Sequence, residues 1–110
     1  MFSLHFIRGL TIHGFREVKI KMKLPFSRFV VSENSMLPEY KPGDHVLTFN
    51  LVAPKVGDVI VFNQAGTKYI KRINRFNENM IYVVGDNRQK SSDAMLIAQR
   101  DIVGKVIMKY

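Results

Sequence analysis

From Pro25 onward, apolar and polar positions fall into short runs, with β-branched and aromatic residues gathered between turn-forming residues about 8–12 positions apart. This patterning predicts strands near Phe26–Ser32, His45–Leu51, Asp58–Asn63, Lys68–Arg75, Met80–Val84 and Asp101–Met108. Pro42-Gly43 and Pro54-Lys-Val-Gly57 read as turns, and Gln64-Ala-Gly-Thr67 and Asn77-Glu-Asn79 as hairpin connections. The sum is a mostly β fold, a single antiparallel β domain with at most one or two short helices. Only Asn87–Gln99 breaks the strand pattern. There Ser91-Ser92-Asp93 can cap a short helix through Ala94–Gln99, and a structured loop fits equally well.

A short internal echo links Lys41-Pro-Gly-Asp-His-Val46 to Lys55-Val-Gly-Asp-Val-Ile60. It is too brief for an architectural repeat and is explained by two turns that each feed a strand. Before Pro25 the pattern changes. Six Lys or Arg lie between Arg8 and Arg28 against one acid, Glu17, so the chain divides into a basic N-terminal segment, 1–24, and a β domain, 25–110.

At 110 residues, one small core is what this chain can bury. The absence of cysteine excludes a disulfide framework and a thiolate zinc site. A net charge of +8 suits anionic partners, whether nucleic acid or acidic headgroups. Arg8, His13, Arg16 and Lys19 interrupt the N-terminal segment, so it holds neither the roughly 18 apolar residues of a spanning helix nor the apolar centre of a cleavable signal peptide. Phe2, Phe6, Leu10, Phe15 and Val18 mixed with cations can lie on a membrane surface; a basic terminal strand or frayed arm explains them as well. The expected location is at a membrane surface, otherwise the cytoplasm. His5, His13 and His45 form no metal-ligand pattern with nearby acids, so no metal or other cofactor is assigned.

Two residues carry candidate chemistry. With a period of two, Tyr69, Lys71 and Ile73 share one face of a strand, while Ile70, Arg72 and Asn74 share the other. Lys71 thus sits among bulky, largely apolar neighbours, a setting that disfavours the ammonium and suits a general base. Ser35, in Val31-Ser-Glu-Asn-Ser-Met-Leu-Pro38, is the hydroxyl such a base can activate. Taken singly, Lys71 reads as a surface strand lysine and Ser35 as a turn cap.

The joint order lifts them above that. Ser35-Met-x-Pro38, Pro42-Gly-Asp44, Gly57-Asp58, Tyr69-Ile-Lys-Arg72 and Gly85-Asp-Asn87 with Ser91 and Asp93 follow one another, and in this the chain resembles the type I signal peptidase family of serine–lysine proteases. More distantly it is similar to the self-cleaving SOS-repressor proteases. The resemblance covers roughly Phe26 to Lys105. It implies that Ser35 is the acylated nucleophile and Lys71 the general base, with the Ser91 hydroxyl orienting the lysine amine. It also implies an Arg72–Asp86 pair, and a Gly85 whose missing side chain lets backbone approach the lysine. The substrate would be a precursor protein or peptide bound as an added strand, with small residues flanking the cut as in Ala-x-Ala sites.

The chain departs from the family at three points. Glu33, two residues before Ser35, stands where a hydroxyl or glycine is usual, and a carboxylate cannot donate to an oxyanion. That leaves the Ser35 backbone N–H, with Ser32, as donors. Ala94 and Met95 follow Asp93 where Ser and Arg are usual, so Arg88 or Arg100 would have to pair with Asp93. The spanning helix of the family is missing. Glu33, Ala94 and Met95 favour a rival, a non-catalytic peptide-binding β domain; a nucleic-acid-binding, repressor-like module is a third reading, weakened by the lack of a helix-turn-helix before Pro25.

Overall fold

A computed structural model describes residues 25–87, 89 and 94–110. The N-terminal segment, Arg88, Ser91 and Asp93 lie outside the described residues. Within them the chain forms one antiparallel sheet of seven strands: β1 Phe26–Val30, β2 His45–Phe49, β3 Val59–Gln64, β4 Thr67–Asn77, β5 Met80–Val84, β6 Met95–Ala98 and β7 Ile102–Lys109. Their order across the sheet is β1-β2-β7-β3-β4-β5-β6. The mostly β, single-domain architecture expected from the alternation is the one observed.

β4 is the longest strand because it serves two neighbours. Thr67–Arg72 pair with β3, and Arg72–Asn77 pair with β5 across a bulge at Asn74. Two-residue turns close both hairpins, with Ala65 and Gly66 at φ 51° and 82° after β3 and Glu78 at φ 56° after β4. Left-handed backbone of this kind matches the twist of the flanking strands. The core is formed where β3, β4, β5 and β6 turn one face inward: Ile60, Phe62, Ile73, Ile81, Val83 and Ile97 are all nearly inaccessible.

Neither the short helix nor the structured loop expected for Ala94–Gln99 describes Met95–Ala98. Met95–Ala98 is instead an edge strand paired with β5, and a single 3-10 turn follows at Gln99–Asp101. The reason lies in the local alternation: Ile97 is buried against the core and Met95 packs on it, while Leu96 stays exposed. A helix so short repays little of its nucleation cost, whereas the open edge of β5 supplies ladder partners at once.

The echoed turns are built alike. In each, the lysine N–H donates to the Asp carboxylate three residues on, Lys41 to Asp44 at 2.8 Å and Lys55 to Asp58 at 2.9 Å. The intervening Gly43 and Gly57 take φ 95° and 94°, where a side chain would be strained. Each Asp also meets a β7 lysine, Asp58 with Lys105 at 3.4 Å and Asp44 with Lys109 at 3.7 Å. The Asp44 carboxyl is held below its usual range, chiefly by the Lys41 N–H and further by Lys109, against a smaller desolvation effect. A depressed carboxyl pKa stabilises the fold above the unfolded value of 3.8 and loses that contribution as pH falls through the folded value. Asp44→Asn should therefore lower the urea midpoint near neutral pH, and the gap to the parent should narrow as pH falls below 3.8 and through the folded value. A gap independent of pH would exclude this role for Asp44.

Candidate active site

The paired turns place the two candidate residues. Gly43 donates its N–H to the Val31 carbonyl at 2.7 Å, and Val31 donates to the Asp44 carbonyl at 2.8 Å, clamping the chain four residues before Ser35. Gly57 and Asp58 hold Ile73 by the same reciprocal pattern, both bonds at 2.9 Å, two residues after Lys71. Thus one kind of turn fixes the approach to the serine and the exit from the lysine. The sequence echo carries more than turn chemistry.

Beyond Val31 the chain leaves the β1–β2 ladder and folds into consecutive turns over Ser35–Glu39. Tyr40 N–H donates to the Met36 carbonyl at 2.9 Å, and Met36 is completely buried. That buried methionine anchors the turns and draws Ser35 inward, to 3% exposure. Lys109 Nζ donates to the Glu39 carbonyl at 2.9 Å, tying the far side of the loop to β7.

Lys71 is also 3% exposed. It stands opposite Ile60 in the β3 ladder, on the face shared by Tyr69 and Ile73, as the period of two required. Burial of a lysine side chain is uncommon and marks the position as one where the amine is held by its surroundings. Among the described residues no buried side-chain nitrogen or oxygen lacks a hydrogen-bond partner.

Gly85 packs against the serine segment. The β4–β5 ladder begins with Arg72 opposite Val84, so Lys71 and Gly85 each lie one residue beyond that pair. A Cβ on Gly85 would stand 2.5 Å from the Ser35 carbonyl oxygen and 3.3 Å from the Ser35 Cβ. The three heavy atoms nearest to that Cβ all belong to Ser35.

Asn87 then locks this contact. Its backbone N–H donates to the Ser35 carbonyl at 2.9 Å, and its Nδ2 donates to the Asn34 carbonyl at 2.8 Å. The sequence had offered Asn87 only as part of the Gly85-Asp-Asn87 run, without a role. An amide donor two residues past a tightly packed glycine was the available signal.

Arg72 and Asp86 form a bidentate pair, Nε to Oδ1 at 2.9 Å and Nη2 to Oδ2 at 2.7 Å, while Nη1 donates to the Gly57 carbonyl at 2.7 Å. One guanidinium therefore joins the Lys71-bearing strand, the second turn and the Gly85 loop. The Arg72 pKa is raised, first by the hydrogen bond to Asp86 and against partial desolvation. Asp86→Ala should cost about 1–2 kcal/mol of stability, the value for a charge-assisted bond reduced because Arg72 is about a third exposed. Arg72→Lys should recover little of it, since an ammonium cannot span both carboxylate oxygens. Urea melts of both variants measure this.

Ser32 and Glu33 are exposed and line a groove. Its other bank is Thr67–Ile70, whose edge away from β3 pairs with no strand among the described residues. Arg100 is exposed in the 3-10 turn, and its expected partner Asp93, like Arg88 and Ser91, is outside the described residues.

A sequence model of the family described as Peptidase S24-like matches residues 25–107. No curated protein matches the chain.

Proposed function

Because the chain belongs to the Peptidase S24-like family, we propose that it is a serine endopeptidase that removes signal or leader peptides from precursor proteins through Ser35 and Lys71. The observation that carries this is a buried serine packed against Gly85 together with a buried lysine whose neighbour Arg72 is paired with Asp86, the residue after Gly85.

In the proposed reaction the Ser35 hydroxyl attacks the carbonyl carbon of the scissile bond while the neutral Lys71 amine takes its proton. The charge gathers on the carbonyl oxygen, toward which the Ser35 N–H and the Ser32 hydroxyl would donate. Collapse breaks the C–N bond, and Lys71 returns its proton to the leaving amine. The acyl group is then an ester of Ser35. Water, deprotonated by the same lysine, attacks the ester and regenerates the hydroxyl. Ser91 would orient the lysine and Asp93 would support that loop. Arg72, Asp86 and Asn87 would keep the two segments in register.

The precursor would bind extended in the groove between Ser32-Glu33 and Thr67–Ile70, adding main-chain hydrogen bonds to the open edge of β4. The basic N-terminal segment would bring the enzyme to an anionic membrane surface, where such precursors emerge. Glu33 is exposed at the groove, and its carboxylate is the feature that favours a non-catalytic peptide-binding domain.

Incubation with a leader-bearing precursor, followed by mass, tests the activity: two fragments cut at one bond are expected, and an intact precursor after prolonged incubation would contradict it. A lysine acts as a base only when neutral, so the rate should rise with pH from neutral into the alkaline range. A flat profile would point to a different base.

A further inference from the structure

Lys109 reaches from the end of β7 to the turns that carry Ser35. Its backbone is fixed opposite the buried Val46 in the β2–β7 ladder. The next residue, Tyr110, donates its N–H to the His45 carbonyl at 2.9 Å and sets its ring 5.4 Å from the His45 ring, so the pairing continues past Lys109. From this footing the ammonium meets three groups. It donates to the Glu39 carbonyl at 2.9 Å, lies 3.7 Å from the Asp44 carboxylate and stands 5.6 Å from the centre of the Tyr40 ring. Three N–H donors on one nitrogen permit such a shared position, and a cation within about 6 Å of a ring is attracted to its face.

These contacts hold the far end of the serine loop. At the near end the Asn87 N–H holds the Ser35 carbonyl, and between the two ties the buried Met36 accepts from the Tyr40 N–H. Tyr40 also faces the Lys71-bearing strand. Burial raises its hydroxyl pKa, with Glu39 and Asp86 adding to the rise and Arg72 opposing it, so the Arg72–Asp86 pair is within electrostatic reach of this ring. The Lys109 side chain is 42% exposed, and an ion pair so exposed contributes little to global stability. What it supplies is local, a fixed separation between sheet and loop. Lys109 stands outside residues 25–107 that match the family, and the resemblance assigns it no role.

Resting on the protease reading above, we propose that Lys109 is a positioning residue for Ser35: by holding the Glu39 carbonyl and lying over Tyr40, it fixes the turns that set the hydroxyl in its place of attack.

The test compares the parent with Lys109→Met, which keeps the stem and deletes the ammonium, and with Lys109→Arg, which restores a cation able to donate to a carbonyl and lie over a ring. Steady-state cleavage of a leader-bearing precursor and hydrogen exchange by mass are measured on all three. Lys109→Met should lower kcat about tenfold, less than the roughly 100-fold cost of a 1 Å displacement, with KM within about twofold of the parent. Amides of residues 36–40 should exchange about tenfold faster, the factor carried by one charge-assisted hydrogen bond at a half-exposed site, while those of β3, β4 and β5 keep the parent's rates. Lys109→Arg should bring both readouts back to within about threefold of the parent. Parent-like exchange at residues 36–40 in Lys109→Met overturns the proposal, as does faster exchange spread evenly over the sheet, which would make Lys109 a residue of general stability. A parent-like kcat in Lys109→Met beside an active parent overturns it too, and so does a Lys109→Arg enzyme no better than Lys109→Met. Loosening confined to residues 36–40, in a protein whose parent cleaves nothing, would sustain Lys109 as the anchor of the Ser35 loop while ending the protease reading.

Discussion

Ser35→Ala and Lys71→Ala are each expected to abolish precursor cleavage, with a loss on the order of 10⁴-fold that does not grow when the two are combined. The two side chains depend on each other. A serine without a base attacks poorly, and a base without the serine has nothing to activate, so removing either removes the whole step. Their effects on stability should differ. Ser35→Ala removes one buried hydroxyl, whereas Lys71→Ala empties the space of a long buried side chain that stands opposite Ile60 in the ladder. Lys71→Met keeps that volume while deleting the amine, and should be as inactive as Lys71→Ala yet closer to the parent in its urea midpoint. Single-turnover rates with each variant measure the loss. A Lys71→Met enzyme as active as the parent would exclude the lysine as base.

Gly85→Ala should be nearly as damaging, by a different route. The new Cβ would lie 2.5 Å from the Ser35 carbonyl oxygen, a backbone atom that cannot simply rotate away. That same oxygen accepts the Asn87 N–H at 2.9 Å, so relief of the clash must loosen the bond that holds the Ser35 loop. Overpacking of this kind costs roughly 1–3 kcal/mol. Displacement of a reacting group by about 1 Å can cost about 100-fold in rate. We therefore expect folded protein with a lowered urea midpoint and cleavage reduced by about 100-fold, read in kcat more than in KM. Asn87→Ala should move in the same direction, because it deletes the 2.8 Å bond to Asn34 while leaving the backbone N–H to Ser35 in place. Parent-like rates for Gly85→Ala would show that the close approach at Ser35 has no part in the reaction.

Much of this arrangement was legible before the fold was seen, and for identifiable reasons. The alternation Tyr69-Ile-Lys-Arg-Ile73 assigns Lys71 to the apolar face because strand periodicity is local and strict. The echoed Lys-x-Gly-Asp turns were legible as turns from their glycines. What they hold was not, since their clamps on Val31 and Ile73 depend on contacts between segments distant in sequence. β6 was misread for the same kind of reason: the five apolar residues after Ser91-Ser-Asp93 fit a capped helix or a loop locally, and only the open edge of β5 decides for a strand. The role of Asn87 likewise depends on a serine loop 52 residues earlier in the chain. The Gly85 contact falls between these cases, its position suggested by the motif and its neighbour, the Ser35 backbone, supplied by the fold.

The claim that Ser35 is the nucleophile activated by Lys71 is tested most directly by trapping the covalent intermediate. Parent enzyme mixed with a leader-bearing peptide, quenched in acid within the first turnover and digested, should yield a Ser35-containing fragment heavier by the acyl portion of the substrate. Lys71→Met should yield none. An acyl group mapped to any residue other than Ser35, or rapid cleavage by Ser35→Ala, would contradict the account.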